Sequence, residues 1–161
     1  MEDKFNISEI LQIAMNTEKE GELFYKKCAN IHTNSKIKEV FLELAEDERD
    51  HYSYFNNLLK QFKGEYKAFN NKYLQDREVN SYLKTLVHIN IFPDDTQNIE
   101  KVASNLKEAI DIGVRAEQNS LLLYSELLRF QESKGSIDAL EKLIIEERRH
   151  LIKLESLKSH I

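Results

Sequence analysis

An internal repeat with an offset of 99 residues constrains the fold of this chain more than any other sequence feature. Residues of the first half match, in type, residues of the second half, and the offset stays constant along the matched length. The matched pairs are Ile7 and Leu106, Leu11 and Ile110, Glu18 and Glu117, Tyr25 and Tyr124, Phe41 and Leu140, Glu48 and Glu147, His51 and His150, and Leu58 and Leu157. Solenoid units are roughly 20–50 residues long, so this longer repeat predicts two similar halves of one structure.

Within each half, the matched residues recur at alternating steps of four and three, which return to one face of an α-helix. Four such stripes run from Ile7 to Cys28, from Phe41 to Phe62, from Leu106 to Leu127 and from Leu140 to Ile161. They predict helices near residues 5–31, 35–62, 99–131 and 136–160. Only four glycines and one proline are present, which favours an all-α protein over a β fold with many turns.

The predicted helices form two pairs with a long segment between them. Asn34–Ser35 and Gly135–Ser136 supply turn and cap residues inside the pairs. The segment of residues 64–98 contains Pro93 and an apolar pattern from Tyr82 to Ile89 that predicts one further helix. Two short-looped hairpins, about 5–62 and 99–160, joined by one long crossover, are the ferritin-like arrangement of a four-helix bundle. We expect one domain over residues 1–161.

Charge, cysteine content and hydropathy exclude several classes of protein. The formal charge is −5 with both signs interspersed, which argues against nucleic acid as a partner. No apolar run approaches the roughly 20 residues that cross a bilayer, and the acidic start MEDKFNISEI is unlike a signal peptide. Cys28 is the only cysteine, so an intrachain disulfide and a four-cysteine metal site are both impossible. We therefore expect a cytoplasmic protein without a membrane or nucleic-acid partner.

Six ionisable side chains interrupt the apolar stripes. A glutamate and a histidine three residues apart lie on one face of a helix and can bind one metal ion. One glutamate from each of two helices, with a Glu-x-x-His motif from each of the other two, is the donor set of di-iron and di-manganese bundles. Glu18 and Glu48 are 30 residues apart, and so are Glu117 and Glu147. This equal spacing places the two donor sets at the same height in the bundle. The predicted metal ligands are Glu18, Glu48, His51, Glu117, Glu147 and His150.

The charges of these residues favour two divalent cations. Desolvating one unpaired carboxylate costs several kcal/mol, against a domain stability of about 5–15 kcal/mol. Two divalent cations would neutralise four carboxylates, and neutral imidazoles would complete the coordination. This combination suits two iron ions, with manganese or zinc as alternatives. The other interpretation is a bundle without metal that keeps protonated or water-bridged glutamates.

Four further side chains are candidates for supporting the ligands. Tyr25 and Tyr124 each follow a predicted glutamate ligand by seven residues, so their hydroxyls could take a catalytic role by hydrogen-bonding a carboxylate across the bundle. The alternative is that they are core aromatics. Asp47 and Glu146 precede the Glu-x-x-His glutamates and are placed to orient the histidine of the opposite helix pair. Ordinary exposed acids are the alternative for these two.

At these residues the chain resembles the rubrerythrin-like branch of the ferritin-like superfamily, over nearly its whole length. The segments that carry the resemblance are EKEGELFY (18–25), ELAEDERDHYSYF (43–55), AEQNSLLLY (116–124) and IIEERRHL (144–151). The resemblance implies a non-haem di-iron centre held by the six predicted ligands, with Glu48 and Glu147 as bridging carboxylates. It also implies a homodimer.

Two departures from rubrerythrins affect the expected function. The rubredoxin-like four-cysteine domain that supplies electrons in that family has no counterpart in these residues, which implies an external electron donor such as a rubredoxin-like protein. Ser120 stands where rubrerythrins carry an additional glutamate. We expect a protein that reduces peroxide or dioxygen in oxidative-stress defence. The alternatives are a ferroxidase or iron-handling protein, and a structural helical module with a vestigial metal site.

Overall fold

The structure is a computed structural model, and it describes residues 6–64 and 75–161, without the side chains of residues 62–64. Six α-helices make up most of the described chain, which confirms the all-α prediction. They are α1 (Ile7–Ile31), α2 (Ser35–Gly64), α3 (Arg77–Val87), α4 (Thr96–Ser104), α5 (Leu106–Arg129) and α6 (Lys134–Leu157). One 3₁₀ turn, Lys158–His160, follows α6.

Capping side chains fix where the helices of the bundle begin. Asn6 and Glu9 form a reciprocal capping box at α1, in which each side chain accepts the backbone N–H of the other residue at 2.9–3.0 Å. The Asn34 side chain accepts the N–H groups of Lys36 and Ile37 at the start of α2. These contacts satisfy backbone donors that have no partner within the helix.

The prediction of one helix over residues 99–131 is wrong, because the helix is interrupted between α4 and α5. Asn105 adopts an extended backbone (φ −93°, ψ 106°), and its side chain accepts the N–H of Glu108 at 3.1 Å. Asn105 therefore ends α4 and caps α5. The helix axis can change direction at this residue while the apolar stripe from Leu106 onward stays intact.

Two other predicted helix ends also differ from the structure. Ser133, rather than Gly135–Ser136, caps α6, because its hydroxyl accepts the N–H of Ser136 at 3.2 Å. Ile161 lies beyond the 3₁₀ turn and is exposed, so the fourth stripe ends at Leu157. Residue 5 and the side chain of Phe62, which belong to the predicted first hairpin, lie outside the described residues.

The bundle consists of two closely packed helix pairs with the crossover against one side. Helix α1 packs on α2 and α5 on α6, while contacts of α1 with α5 and of α2 with α6 join the pairs. The further helix predicted in the crossover is α3, which buries Leu83 and Leu86 and packs on α5. Helix α4 contacts both α1 and α5. Residues 65–74 of the crossover lie outside the described residues.

Two apolar clusters fill the bundle, and each takes side chains from all four bundle helices. One cluster contains Leu11, Phe55, Tyr124 and Leu143. The other contains Tyr25, Phe41, Ile110 and Leu154. Along each stripe the residues between these clusters are the predicted metal ligands, so a polar layer separates two apolar cores. No described helix is long and apolar enough to cross a membrane.

Candidate metal centre

The four bundle helices bring the six predicted ligands together in the polar layer. Helix α1 supplies Glu18 and α5 supplies Glu117, while each Glu-x-x-His motif lies on α2 or α6. All six side chains are buried. They form two overlapping groups whose ligand atoms lie within 4.8 Å of one another: Glu18, Glu48, His51 and Glu147, and then Glu48, Glu117, Glu147 and His150.

Glu48 and Glu147 belong to both groups, whereas the other four residues each belong to one. The two shared glutamates are repeat equivalents that extend from opposite helix pairs. They therefore lie between two donor sets, each of which has three carboxylates and one imidazole. This is the position that the sequence resemblance implies for bridging carboxylates.

The two histidines point one ring nitrogen at the cluster and the other at an acid on the opposite helix pair. Nδ1 of His51 lies 3.0 Å from Glu147, and Nδ1 of His150 lies 3.0 Å from the same carboxyl group. Nε2 of His51 donates to Glu146 at 2.9 Å, and Nε2 of His150 donates to Asp47 at 3.1 Å. Because Nε2 holds its proton for these acids, Nδ1 is the nitrogen that can bind a metal.

A lysine that the sequence reasoning missed strengthens one of these pairs. Nζ of Lys153 lies 3.2 Å from Asp47 and 3.3 Å from Glu43, both on α2. The hydrogen bond from His150, together with the Lys153 charge, lowers the pKa of Asp47 although partial burial opposes this. The repeat equivalent of Lys153 is Tyr54, so the repeat gives no indication of this contact.

The two predicted tyrosines have different surroundings. Tyr25 donates its hydroxyl to Glu117 across the bundle, as the sequence predicts. The Tyr124 hydroxyl is buried and has no hydrogen-bond partner among the described residues. Its ring packs on Phe55 with 4.9 Å between ring centroids. For Tyr124 the predicted hydrogen bond is therefore absent from this structure, and the residue is a core aromatic.

Glycine at position 113 leaves room for the Tyr25 hydroxyl. A Cβ atom there would lie 3.2 Å from that oxygen and 3.0 Å from a methyl group of Leu154. Position 113 is one turn before Glu117, so the missing side chain lets Tyr25 approach the carboxylate. The other glycine on the stripes, Gly21, is less crowded, since an added Cβ would lie 3.5 Å from Glu48 Cγ. Ser120, the repeat equivalent of Gly21, is buried.

Burial and repulsion divide the four glutamates into two kinds in the metal-free protein. Burial, followed by the charge of Glu48, raises the pKa of both Glu18 and Glu117 well above the ordinary value. Burial also acts on Glu48 and Glu147, but the close approach of the raised glutamates and of both histidines outweighs it and lowers the pKa of these shared carboxyl groups. The shared pair therefore carries the negative charge.

The histidines carry the balancing positive charge when no metal is bound. Burial disfavours the imidazolium form of both rings. The surrounding carboxylates outweigh burial and raise the pKa of His51 and of His150 above the ordinary value. Protonation of Glu18, Glu117 and both histidines would leave two carboxylates and two imidazolium groups, whose charges balance. Four carboxylates, two neutral imidazoles and two divalent cations give the same neutral sum.

Several buried atoms of the cluster have no hydrogen-bond partner within residues 6–64 and 75–161, and this suits a metal ion. They are Glu18 Oε1, His51 Nδ1 and both carboxylate oxygens of Glu147. The oxygens of Glu147 lie near the histidine nitrogens without the geometry of a hydrogen bond. Buried polar atoms without partners cost free energy, and these converge on the same space. Carboxylate and imidazole donors suit iron and manganese, so the residues fit a two-metal centre.

Comparisons with known proteins agree with this geometry. The sequence model of the rubrerythrin family matches residues 9–76 and 67–158. Among solved structures, a crystal structure of a protein from Thermotoga maritima, described as a ferritin-like diiron-carboxylate protein, is 28% identical with a TM-score of 0.70. The match covers 99% of this chain and 98% of that one. The curated proteins contain no significant match.

The family match covers nearly all of the described helices, and the solved structure has the same arrangement along its whole length. The ferritin-like fold predicted from the repeat is therefore confirmed. The buried carboxylate–histidine cluster is of the kind that supports a di-iron centre. This chain belongs to the rubrerythrin family.

Proposed function

We propose that the cluster binds two iron ions, one in each donor set, and that Glu48 and Glu147 bridge them. The observation that carries this proposal is the overlap of the two sets at these two glutamates. Each ion would then have one terminal glutamate, Glu18 or Glu117, and one histidine nitrogen. Manganese or zinc would fit the same donors and are alternatives in the metal analysis.

We further propose that the loaded protein reduces peroxide to water, or dioxygen to water when an external donor adds two further electrons. Two bound ferrous ions would supply the two electrons that, with two protons, split one peroxide into two waters. The family and the two donor sets that share Glu48 and Glu147 support this proposal, because two ions held by these residues could supply both electrons.

The chain's own residues would position the ligands and limit access. Asp47 and Glu146 fix the orientation of the two imidazoles, and such partners typically change metal affinity by about 10–100-fold. Burial, followed by the charge of Glu117, raises the pKa of Tyr25, so this hydroxyl keeps its proton beside the centre. The apolar clusters on both sides of the polar layer keep bulk water away.

The electrons for repeated turnover would come from another protein. The only cysteine, Cys28, is buried in the core, so no four-cysteine site exists in this sequence. We propose an external donor such as a rubredoxin-like protein. A donor of this kind and a single free cysteine fit the reducing cytoplasm, which we propose as the location.

Rapid mixing of the iron-loaded protein with peroxide tests the reaction. We expect about two irons per chain, oxidation of the ferrous form faster than that of free Fe²⁺, and continued peroxide consumption when a reductase and a rubredoxin-like donor are added. Asp47→Asn and Glu146→Gln should weaken iron binding, whereas Glu46→Ala, an exposed change on the same helix as Asp47, should not.

Three other results would each contradict the proposal. Oxidation that is no faster than that of free Fe²⁺ would exclude peroxide reduction at the centre. A single round of oxidation without turnover, in the presence of a competent donor, would indicate a ferroxidase or iron-handling protein. An identical melting temperature with and without metal, together with no bound iron, would indicate a helical module with a vestigial site.

A further inference from the structure

The two donor sets share two glutamates, and each set adds one terminal glutamate and one histidine. The first set adds Glu18 and His51, whereas the second set adds Glu117 and His150. These residues are repeat equivalents with the same chemistry. A difference in metal affinity between the two sets is therefore expected to come from the side chains that contact them.

Lys153 contacts the acid that holds the histidine of the second set. Nε2 of His150 donates to Oδ2 of Asp47 at 3.1 Å, and Nζ of Lys153 donates to the same oxygen at 3.2 Å. The Lys153 side chain is 31% exposed, so solvent screens its charge only in part. A carboxylate that accepts the second ring N–H makes a metal-bound imidazole a stronger donor. Because Lys153 takes negative charge from the same oxygen, it weakens this effect at His150.

The acid behind the histidine of the first set has a weaker cationic partner. Nε2 of His51 donates to Oε2 of Glu146 at 2.9 Å. Nζ of Lys142 lies 3.8 Å from the other oxygen of Glu146, and the Lys142 side chain is 78% exposed. An ion pair that is so exposed contributes little. The repeat equivalent of Lys153 is Tyr54, an uncharged phenol. The first set therefore keeps the more strongly donating imidazole.

The terminal glutamates of the two sets differ in the same direction. Tyr25 donates its hydroxyl to Oε1 of Glu117, so this oxygen shares its negative charge with a hydrogen bond. Oε1 of Glu18 is buried and has no hydrogen-bond partner among the described residues. Its charge stays available for a metal ion. The contacts of Lys153 and of Tyr25 therefore both weaken ligands of the second set.

We infer that Lys153 makes the second set the weaker of the two metal sites. Lys153 is a positioning residue, because it acts on His150 through Asp47, and Tyr25 adds to the difference between the sets. The inference rests on the proposed two-iron centre. The first set would fill first as iron is added, and the ion of the second set would exchange with solution more readily.

Anaerobic titration with Fe²⁺ of variants that keep one complete set measures the two affinities separately. Glu117→Ala keeps the first set, and Glu18→Ala keeps the second. We expect the first set to bind Fe²⁺ about tenfold more tightly, the lower end of the effect of partners of metal-bound histidines. The wild-type chain should accordingly bind its two ions in two steps. Equal affinities, or a tighter second set, would overturn the inference. A wild-type chain that binds no iron would instead show that the proposed centre itself is wrong.

Substitution of the lysine isolates its contribution. Lys153→Met should tighten the weaker step of the wild-type titration by about three- to tenfold, a fraction of the effect of removing such a partner. It should tighten binding by the Glu18→Ala chain to the same extent and leave the Glu117→Ala chain unchanged. Lys153→Arg keeps the positive charge and should keep the wild-type affinity.

The matched control is Lys142→Met, which removes an exposed positive charge from the same helix. It should change the affinity of the second set by less than about twofold, and circular dichroism should show that all variants fold. If Lys153→Met weakens the second step, the lysine only holds Asp47 in place. If Lys142→Met tightens the second step equally, the effect belongs to the net charge of the chain. Either result would overturn the inference.

Discussion

The two hairpins supply equal sets of candidate metal ligands, but the residues that contact these ligands differ between the hairpins. In the histidine pairs the halves match, since His51 binds Glu146 as His150 binds Asp47. In the tyrosines they differ, since Tyr25 donates to Glu117 and Tyr124 has no partner among the described residues. The two halves of a repeat can therefore share the same candidate ligands while the residues that hydrogen-bond these ligands differ.

One methyl group offers a physical reason for this difference. The Tyr25 hydroxyl packs against Gly113, one turn before Glu117. The equivalent position before Glu18 is Ala14. A methyl group in the place of Gly113 would come within 3.2 Å of the hydroxyl, so we infer that Ala14 keeps Tyr124 away from Glu18. The two terminal carboxylates would then differ, because Glu117 accepts a hydrogen bond from a tyrosine hydroxyl and Glu18 does not accept one from Tyr124.

The largest expected effect concerns ligands that the two donor sets share. Glu147→Ala should abolish binding of both metal ions, because this carboxylate belongs to both groups. Glu18→Ala and Glu117→Ala should each leave about one ion per chain, because each removes a ligand from only one group. Metal analysis of the purified variants measures this. If Glu18→Ala still binds two ions, then the proposed division into two sets is wrong.

Lower pH should empty both sites together. In the metal-free protein the raised pKa values of Glu18, Glu117, His51 and His150 favour the protonated forms of these groups. Metal ions bind the deprotonated forms, so binding should release up to about four protons and should weaken as the pH falls. Calorimetry in buffers of different ionisation enthalpy measures the protons released. Binding without proton release would contradict the proposed ligands.

Removing the two tyrosine hydroxyls should have unequal consequences for stability. Tyr25→Phe leaves a buried oxygen of Glu117 without its donor, so we expect a loss of about 1–2 kcal/mol in the free energy of unfolding of the metal-free protein. Tyr124→Phe should be neutral or slightly stabilising, since it removes a buried hydroxyl that has no hydrogen-bond partner in the described part of the chain. Urea denaturation measures both changes. Equal losses would show that the asymmetry of the tyrosines is absent in solution.

The two glycines of the stripes should also respond in opposite directions to alanine. Gly113→Ala gains about 1 kcal/mol of helix propensity, but crowding of Leu154 and Tyr25 costs about 1–3 kcal/mol. We expect a net loss of about 1 kcal/mol. Gly21→Ala meets only an ordinary contact with Glu48, so it should gain about 0.5–1 kcal/mol. Thermal unfolding of the metal-free variants checks the two signs.

The smallest effect is expected at Cys28, which takes the place of Leu127 in the first hairpin. Burial raises the pKa of this thiol to about 12. At pH 8 the thiolate fraction is then about one in ten thousand, so a thiol reagent should not label the native protein. Labelling in denaturant supplies the control. Rapid labelling of the folded chain would mean that this apolar cluster opens readily.

The repeat and its stripes predict most of the fold, because residues on one face of a helix must share a core. They place α1, α2 and α6 within a few residues of their observed bounds. The break before α5 was missed, although Asn105 followed by Glu108 is a helix-start signature. The apolar pattern of the preceding residues, Ile99 and Val102, continues the helical periodicity and concealed it.

The sequence predicts the candidate ligands of the metal centre more fully than it predicts the contacts of the residues around them. The six candidate ligands and both acid–histidine pairs follow from spacing, since heights in an antiparallel bundle are set by residue number. The two tyrosines face different residues at one repeat position, Gly113 in one half and Ala14 in the other, and a Cβ added at Gly113 would lie 3.2 Å from the Tyr25 hydroxyl. Residue spacing does not encode a contact of this kind.

One apolar cluster lies on each side of the polar layer, and this placement affects the order in which the protein folds and binds metal. Each cluster joins all four bundle helices, so the helices can assemble from both ends without an ion. The raised pKa values of Glu18, Glu117 and the two histidines favour protonation, which reduces the repulsion among the carboxylates during that assembly. Folding and metal binding can thus be separate events. A chelator should remove the metal ions and leave a folded protein that can bind iron again.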